Sequence, residues 1–178
     1  MKKIYQLILF LSLTTGTIFS QEKEVAEQPK FYADFAIGPY LMIDHILYKS
    51  VVLKGTRLGY HINSKFSIGL EYLVGQQHDD TGELGTTHTA NGQIFYYFKD
   101  RLASRKFSPY IVAGGGFIEF KDFSEDIYGF AFYGGAGFSY PIFNNIKGFF
   151  ESKYVSLAPL NLGGKNELGL LWGVRVDL

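Results

Sequence analysis

From Phe31 onward, large apolar side chains alternate with polar or small ones at a period of two, the spacing of a β-strand. The clearest run begins at Phe66, where every second residue through Val74 is apolar and the intervening residues include Ser67 and Glu71. Similar runs lie near residues 31–41, 51–62, 66–75, 89–98, 109–120, 128–140, 148–156 and 167–178. Eight alternating runs of about ten residues, long enough to cross a bilayer when tilted, predict an all-β fold, an eight-stranded antiparallel up-and-down transmembrane β-barrel.

The segments between the runs alternate in character. Residues 61–65 and 141–145 read as tight turns, and 99–107 is a longer basic link. The other rim receives the predicted loops 42–50, 76–88, 121–127 and 157–166, three of which are rich in charged residues, His and Gly. Short turns at one rim and longer polar loops at the other are typical of transmembrane barrels.

Side-chain size predicts which face meets lipid. About thirty large apolar residues share one face, whereas Gly and Ala concentrate on the other, and an eight-stranded barrel has an interior only just wide enough for side chains. The bulky set is therefore assigned to lipid, which argues against a soluble barrel of lipocalin type. A transmembrane helix over Ile127–Ile146 is the other alternative, but its four glycines, its proline and its strict alternation favour a strand.

This orientation points a set of charged side chains into the lumen. Buried charges are costly unless they are paired, so an internal ion-pair network is expected, with Arg57 and Glu71 as neighbours on adjacent strands. The predicted members are Asp34, Arg57, Glu71, Glu119, Glu151, Lys153, Glu167, Arg175 and Asp177. A structural plug is favoured over an ion path or gate, because eight strands leave no aqueous channel.

Two further orientation predictions follow from apolarity. In the run 109–120, Tyr110, Val112 and Ile118 are assigned to lipid, and Phe117 and Glu119 to the lumen. Aromatic girdles at the membrane interfaces are expected from tyrosines near strand ends. These are Tyr32, Tyr60, Tyr72, Tyr110, Tyr128 and Tyr140.

The N-terminus predicts export. Lys2 and Lys3 precede a short apolar stretch over residues 4–13, and residues 14–20 are small and polar. This is the layout of a secretory signal peptide over residues 1–20, cleaved after Ser20, and its apolar part is too short for a membrane anchor. Residues 21–30 are polar and predict a flexible leader, which leaves 31–178 for the barrel domain.

Composition excludes several function classes. Basic and acidic residues number 17 each, so the chain has no strongly basic surface for nucleic acid. The chain has no cysteine, which rules out disulfides, thiolate metal sites and a cysteine nucleophile. No glycine-rich phosphate loop precedes a helix, so no cofactor is expected. His78, Asp79, Asp80, Glu83 and His88 could suggest a metal site, but a solvated acidic loop is favoured.

Several motifs resemble those of the small eight-stranded outer-membrane barrels of OmpA-like and OmpX-like type, particularly short single-domain forms from Bacteroidetes-type bacteria. They are the strand start over residues 108–116, the glycine-rich stretch 134–140 and the terminal strand 173–178. Gly173, Val176 and Leu178 are similar to the C-terminal signal that the outer-membrane assembly machinery reads, although Leu replaces the commoner Phe. The resemblance implies a porin-family fold and contact with outer-membrane lipid and lipopolysaccharide.

The favoured function is that of a non-enzymatic outer-membrane protein with an envelope or surface-interaction role through its loops. A narrow channel or lateral-release site for small hydrophobic molecules, as in OmpW-like barrels, is the alternative. A lipid A-modifying enzyme is less favoured, because residues 151–156 lack the histidine of the deacylase element they resemble, and a serine needs an adjacent base. Catalytic and metal-binding residues are therefore not assigned.

Overall fold

The computed structural model describes residues 30–42, 51–78, 84–99, 107–121, 127–159 and 165–178. The predicted signal peptide, residues 21–29 of the leader and the central parts of the four predicted loops lie outside the described residues. No helix among the described residues is long and apolar enough to span a bilayer.

The chain forms eight antiparallel strands that close into a barrel, which confirms the predicted fold. The strands are β1 Phe31–Met42, β2 Val51–His61, β3 Phe66–His78, β4 Leu84–Tyr97, β5 Ser108–Lys121, β6 Ile127–Pro141, β7 Ile146–Pro159 and β8 Lys165–Asp177. Each pairs with its sequence neighbour, and β1 pairs with β8. The stretch considered as a helix is therefore mostly strand β6.

The two ends of the barrel differ in their connections. At the end that we call the turn rim, segments 62–65, 98–107 and 142–145 join the strands, and the Leu178 amide donates to the Phe31 carbonyl at 2.8 Å. At the opposite end, the loop rim, connections begin after β1, β3, β5 and β7. The strands run longer than ten residues here, so most of the predicted 76–88 loop belongs to β3 and β4.

Local chemistry fixes the first turn. The Asn63 side-chain oxygen accepts hydrogen bonds from the Lys65 amide at 2.9 Å and the Phe66 amide at 2.8 Å. An asparagine that bonds the backbone two residues on replaces the missing ladder contacts at a strand end. This turn sets the register in which Arg57 pairs with Glu71 across β2 and β3.

The outer surface is apolar and the interior is mixed. Large exposed hydrophobic side chains cover the outer wall of all eight strands, among them Phe35, Leu58, Leu70, Phe132 and Trp172. Buried polar and charged residues share the interior with a cluster of rings and aliphatic side chains. A lipocalin-type barrel has the opposite arrangement, so the exposed apolar belt contradicts that alternative.

Strand β5 faces the opposite way from the prediction. Tyr110, Val112 and Ile118 are buried in the lumen, whereas Phe117 is 62% exposed on the outer wall. Glu119 shares the outer face and pairs with Lys121 at 3.1 Å near the loop rim, so its assignment to the lumen is wrong. Both faces of β5 carry large apolar residues, so apolarity alone did not identify the outer face.

The predicted girdles are only partly present. Tyr72, Tyr128 and Tyr140 are about half exposed on the outer wall, but Tyr32 and Tyr110 are each 1% exposed and lie in the lumen. These two rings follow the alternation of their strands rather than their nearness to a strand end. The lumen therefore holds more large side chains than predicted.

Glycines in the wall make room for the lumen rings. A Cβ on Gly59 would stand 2.1 Å from Cζ of Tyr32, whose hydroxyl reaches over β2 to the Ile68 carbonyl of β3. Gly169 and Gly114 are covered in the same way by Tyr40 and Tyr133. Each ring thus packs against bare backbone on a neighbouring strand.

This packing predicts the effect of a single methyl group. We expect Gly59→Ala to lower the free energy of unfolding by about 1–3 kcal/mol, since overpacking forces the Tyr32 ring aside. Gly134→Ala is the control, because nothing lies within 4 Å of a Cβ at that outward-facing position. Urea titration of the folded protein in lipid vesicles measures both, and equal stabilities would contradict the packing described.

Candidate functional site: a charge network across the lumen

Arg57 of β2 stands at the centre of the buried charges. Its Nη1 donates to Oδ2 of Asp34 at 2.9 Å, and its Nη2 donates to Oε2 of Glu71 at 2.7 Å and to Oε1 of Glu151 at 3.0 Å. The four side chains are at most 1% exposed. Because Glu151 belongs to β7, the contact crosses the barrel interior and connects walls that share no backbone ladder.

Two more cations complete the network. Lys153 Nζ lies 2.9 Å from both Glu71 Oε1 and Glu151 Oε1. Arg175 donates two hydrogen bonds to Asp34, from Nε to Oδ1 at 2.7 Å and from Nη2 to Oδ2 at 2.8 Å. Three guanidinium or ammonium groups thus meet three carboxylates, and the cluster is formally neutral. Paired and hydrogen-bonded charges of this kind avoid much of the cost of an isolated buried ion.

Aromatic side chains in the lumen contact the network through hydrogen bonds and cation–π interactions. The Tyr110 hydroxyl donates to Oε2 of Glu151 at 2.9 Å, and Arg175 donates to the Tyr97 hydroxyl. Arg175 also lies 4.1 Å from the centroid of the Tyr32 ring, and Lys153 lies 4.6 Å from that of Tyr133. Cation–π contacts strengthen when they are removed from water, so the rings help to hold the cations in place.

Of the nine charges assigned to the lumen, the structure brings six into this network: Asp34, Arg57, Glu71, Glu151, Lys153 and Arg175. Glu167 is buried nearer the loop rim, and Asp177 is buried at the turn rim. Glu119 is on the outer wall, as described above.

Glu167 lines a small cavity between the network and the loop rim. The cavity measures about 20 Å³, and its wall includes Thr87, Thr89 and Asn91 of β4. Side-chain oxygens of these three residues have no hydrogen-bond partner within the described protein. The rest of the wall is largely apolar, and a space of this size with these oxygens in its wall suits one water molecule and is far too small for an organic ligand.

A second polar cluster lies at the turn rim, and the sequence analysis missed it. His61 Nδ1 is 2.7 Å from Ser67 Oγ, and His61 Nε2 is 3.3 Å from Asp177 Oδ1. Lys147 Nζ contacts the other Asp177 oxygen at 2.7 Å. The shared inward parity of these residues, read together with the β2–β3 turn, was the signal that could have placed His61 beside Ser67.

This serine–histidine–aspartate cluster has the residue types of a hydrolase triad but not its access. Ser67 is 0% exposed, so a substrate carbonyl could not reach its hydroxyl. The histidine also presents Nδ1 to the serine, opposite to the usual triad arrangement. The contacts join β2, β3, β7 and β8. The role that fits them is to hold these four strands together at the turn rim.

Two sets of predicted residues remain, those of the considered metal site and those of the assembly signal. His88 lies on the outer wall, where its Nδ1 is 2.7 Å from the Tyr72 hydroxyl, and the residues 79–83 of the considered metal site lie outside the described residues. Within the described part of the chain, no group of three or more metal-ligating side chains converges. Val176 and Leu178 of the predicted assembly signal face outward, and Gly173 packs under the Phe149 ring.

Several solved structures share this architecture. Neisserial surface protein A superposes with a TM-score of 0.69 over 83% of this chain and 97% of that chain, at 16% sequence identity. The chain has the fold of a small outer-membrane β-barrel. The N-terminal β-barrel domain of Pseudomonas aeruginosa OprF has a TM-score of 0.55 over 83% of this chain and 98% of its own, at 18% identity.

A third outer-membrane barrel fold, that of the outer membrane protein OprG from Pseudomonas aeruginosa, has a TM-score of 0.51 at 14% identity, covering 85% of this chain and 97% of that one. No protein-family model and no curated protein matches the sequence. The outer-membrane barrel fold thus rests on three-dimensional similarity at low identity.

Proposed function

We propose that the chain is an integral protein of the bacterial outer membrane, exported by the signal at residues 1–20 and serving the envelope without catalysis. The observation that carries this proposal is the apolar outer wall around a neutral, fully buried charge network. We also propose that the chain is related to the OmpA-like and OmpX-like barrels, in particular to their short Bacteroidetes-type forms.

The outer wall is suited to hydrocarbon. Exposed apolar patches on soluble monomers rarely exceed a few hundred Å², whereas here large apolar side chains are exposed on every strand. The closed ladder also satisfies the backbone between strands, as a chain in lipid requires. Both properties support a lipid environment.

Cell fractionation tests the location. We expect the protein in the outer-membrane fraction, with a faster gel mobility before heating than after it, because a closed barrel resists detergent at room temperature. A soluble periplasmic band without heat-dependent mobility would contradict the proposal.

A closed lumen is the second part of the proposed function. The Arg57–Glu151 contact crosses the interior, and the cavity between this contact and the loop rim has room for no more than one water molecule. We expect proteoliposomes to take up arabinose no faster than protein-free liposomes and planar bilayers to show no steady conductance. Uptake would instead favour the narrow-channel alternative of OmpW-like type.

The loops are proposed to meet a surface ligand, and the outer wall to meet outer-membrane lipid and lipopolysaccharide after insertion by the assembly machinery. Ser67 burial argues against chemistry at the turn rim. Mass spectrometry of lipid A with and without the gene is expected to give the same acyl pattern. A changed pattern would revive the enzyme alternative.

A further inference from the structure

The outer wall has an apolar depression across five strands, which we call the turn-side groove. It has a volume of about 950 Å³, crosses β1–β5 and is almost wholly apolar. Its lining residues include Phe31, Leu58, Ile68, Leu70, Gly92 and Ala113. Because Leu178 and Tyr60 line its turn-rim end and Leu70 lies near mid-strand, the groove occupies the half of the wall next to the turns.

Residue size creates the groove. Bulky side chains project from β1–β3, among them Leu58 and Leu70, and Ile94 projects from β4, whereas Gly92 of β4 and Ala113 of β5 leave a local gap beside them. Gly92 pairs with Leu70 on one side and with Gly115 on the other, so the step in height falls between adjacent strands. A step of this kind accepts flexible hydrocarbon more readily than a flat wall does.

The turn rim beside the groove is positively charged. Three exposed lysines lie at this rim: Lys30 precedes β1, Lys65 ends the β2–β3 turn and Lys99 follows shortly after β4. Strands β1 to β4 all contribute to the groove. None of the three lysines makes an ion pair with another described residue. The 142–145 turn, away from the groove, carries no charged side chain, and Lys147 beside it is paired with Asp177.

We propose that the turn-side groove binds an anionic glycerophospholipid of the leaflet that faces the turns. The acyl chains lie along Leu58, Leu70 and Gly92, and the phosphate meets Lys30 and Lys65 at the rim. Apolar volume and cationic charge coincide on the same strands, which is the complementarity that this class of lipid presents. The inference rests on the proposed membrane location and adds a specific site to it.

Native mass spectrometry of the folded full chain in detergent, titrated with phosphatidylglycerol, tests the acyl site. We expect one lipid to remain bound at low lipid ratios. Gly92→Phe should weaken this adduct at least tenfold, because the new ring fills the groove. The variant should still fold, because a Cβ at Gly92 would make only an ordinary contact, 3.9 Å from the Gly115 carbonyl oxygen. Gly134→Phe is the matched control on β6, outward-facing, open and outside the groove, and should retain the adduct.

The headgroup is tested with a second set of variants. Replacing Lys30, Lys65 and Lys99 with Gln should weaken phosphatidylglycerol binding about 30- to 150-fold, since each basic residue near a charged headgroup contributes to its attraction. Phosphatidylcholine binding should weaken much less, because its choline ammonium already offsets the charge of its phosphate. Lys54→Gln, on the outward face of β2 in the loop half, is the control and should leave both affinities unchanged.

Three results would overturn the site: no retained lipid, equal losses in Gly92→Phe and Gly134→Phe, or a lipid preference indifferent to the three lysines. A dimer that Gly92→Phe dissociates would assign the groove to a second copy of the chain instead. All variants are compared only in heat-modifiable form. A chain that is soluble without detergent would refute the membrane location, whereas a heat-modifiable barrel without the adduct would refute this site alone.

Discussion

Arg57→Met will destabilise the folded barrel by about 3–5 kcal/mol, the usual cost of removing one partner from a buried ion pair. The substitution preserves much of the side-chain length but leaves Asp34, Glu71 and Glu151 around an uncharged thioether, with only Lys153 and Arg175 to balance them. Urea titration in lipid vesicles, followed by the heat-modifiable band, measures the free energy of unfolding.

Lys54→Met is the matched control for this experiment. Lys54 lies on the same strand but its side chain faces outward and is exposed. Its removal should change stability by no more than about 0.5 kcal/mol, as is usual at such a position. If the two variants unfold at the same urea concentration, the network does not stabilise the barrel in the way that its geometry indicates.

A paired substitution separates charge balance from lost packing. Lys153→Met alone leaves Glu71 and Glu151 with one cation fewer, whereas Lys153→Met combined with Glu71→Gln restores neutrality. The double variant should therefore be more stable than the sum of the single effects predicts, because the second change removes an uncompensated charge. Additive effects would show that charge balance is unimportant in the lumen.

Leu70→Arg and Phe132→Arg will each cost about 2–4 kcal/mol in a bilayer. Leu70 is 73% exposed and Phe132 is 61% exposed on the outer wall, near the middle of β3 and β6. A guanidinium there must leave water for hydrocarbon or distort the bilayer around it. The yield of heat-modifiable protein and the urea midpoint in vesicles report the cost.

Gln76→Arg is the control for the lipid-facing substitutions. Gln76 is also exposed on β3, but it lies close to the loop rim, where an arginine can reach the interface. Its cost should fall to about 1 kcal/mol or less. Equal destabilisation at Leu70 and Gln76 would contradict the position of the membrane on the barrel.

Alternation predicted the fold because the two faces of most strands differ strongly. On β3, Leu70 and Glu71 could each have only one orientation, and register then placed Glu71 beside Arg57. On β5 the same reasoning failed, since Tyr110 and Ile118 on one face are as apolar as Phe117 on the other. The orientation of β5 depends on its pairing with β4 and β6, and the link 98–107 is too long to fix that pairing from sequence.

Contacts across the lumen were the least predictable part of the site. Arg57 and Glu71 are joined by a short turn, so their pairing follows from residue counting. The approach of Glu151 to Arg57 depends on barrel closure and on the space that glycines leave for rings such as Tyr32. The His61–Ser67–Asp177 cluster was missed for the same reason, because Asp177 reaches it only when β8 returns to β1.

The spacing of the network along the chain has a consequence for the order of folding. Asp34 and Arg175 are 141 residues apart, and Arg57 and Glu151 are 94 apart, so neither contact can form until the last hairpin arrives. Until then, an emerging chain carries unmatched charges that hydrocarbon would reject. Closure of the ladder and neutralisation of the interior therefore occur together, and we expect a chain stopped before β8 to stay at the membrane surface rather than insert as an open sheet.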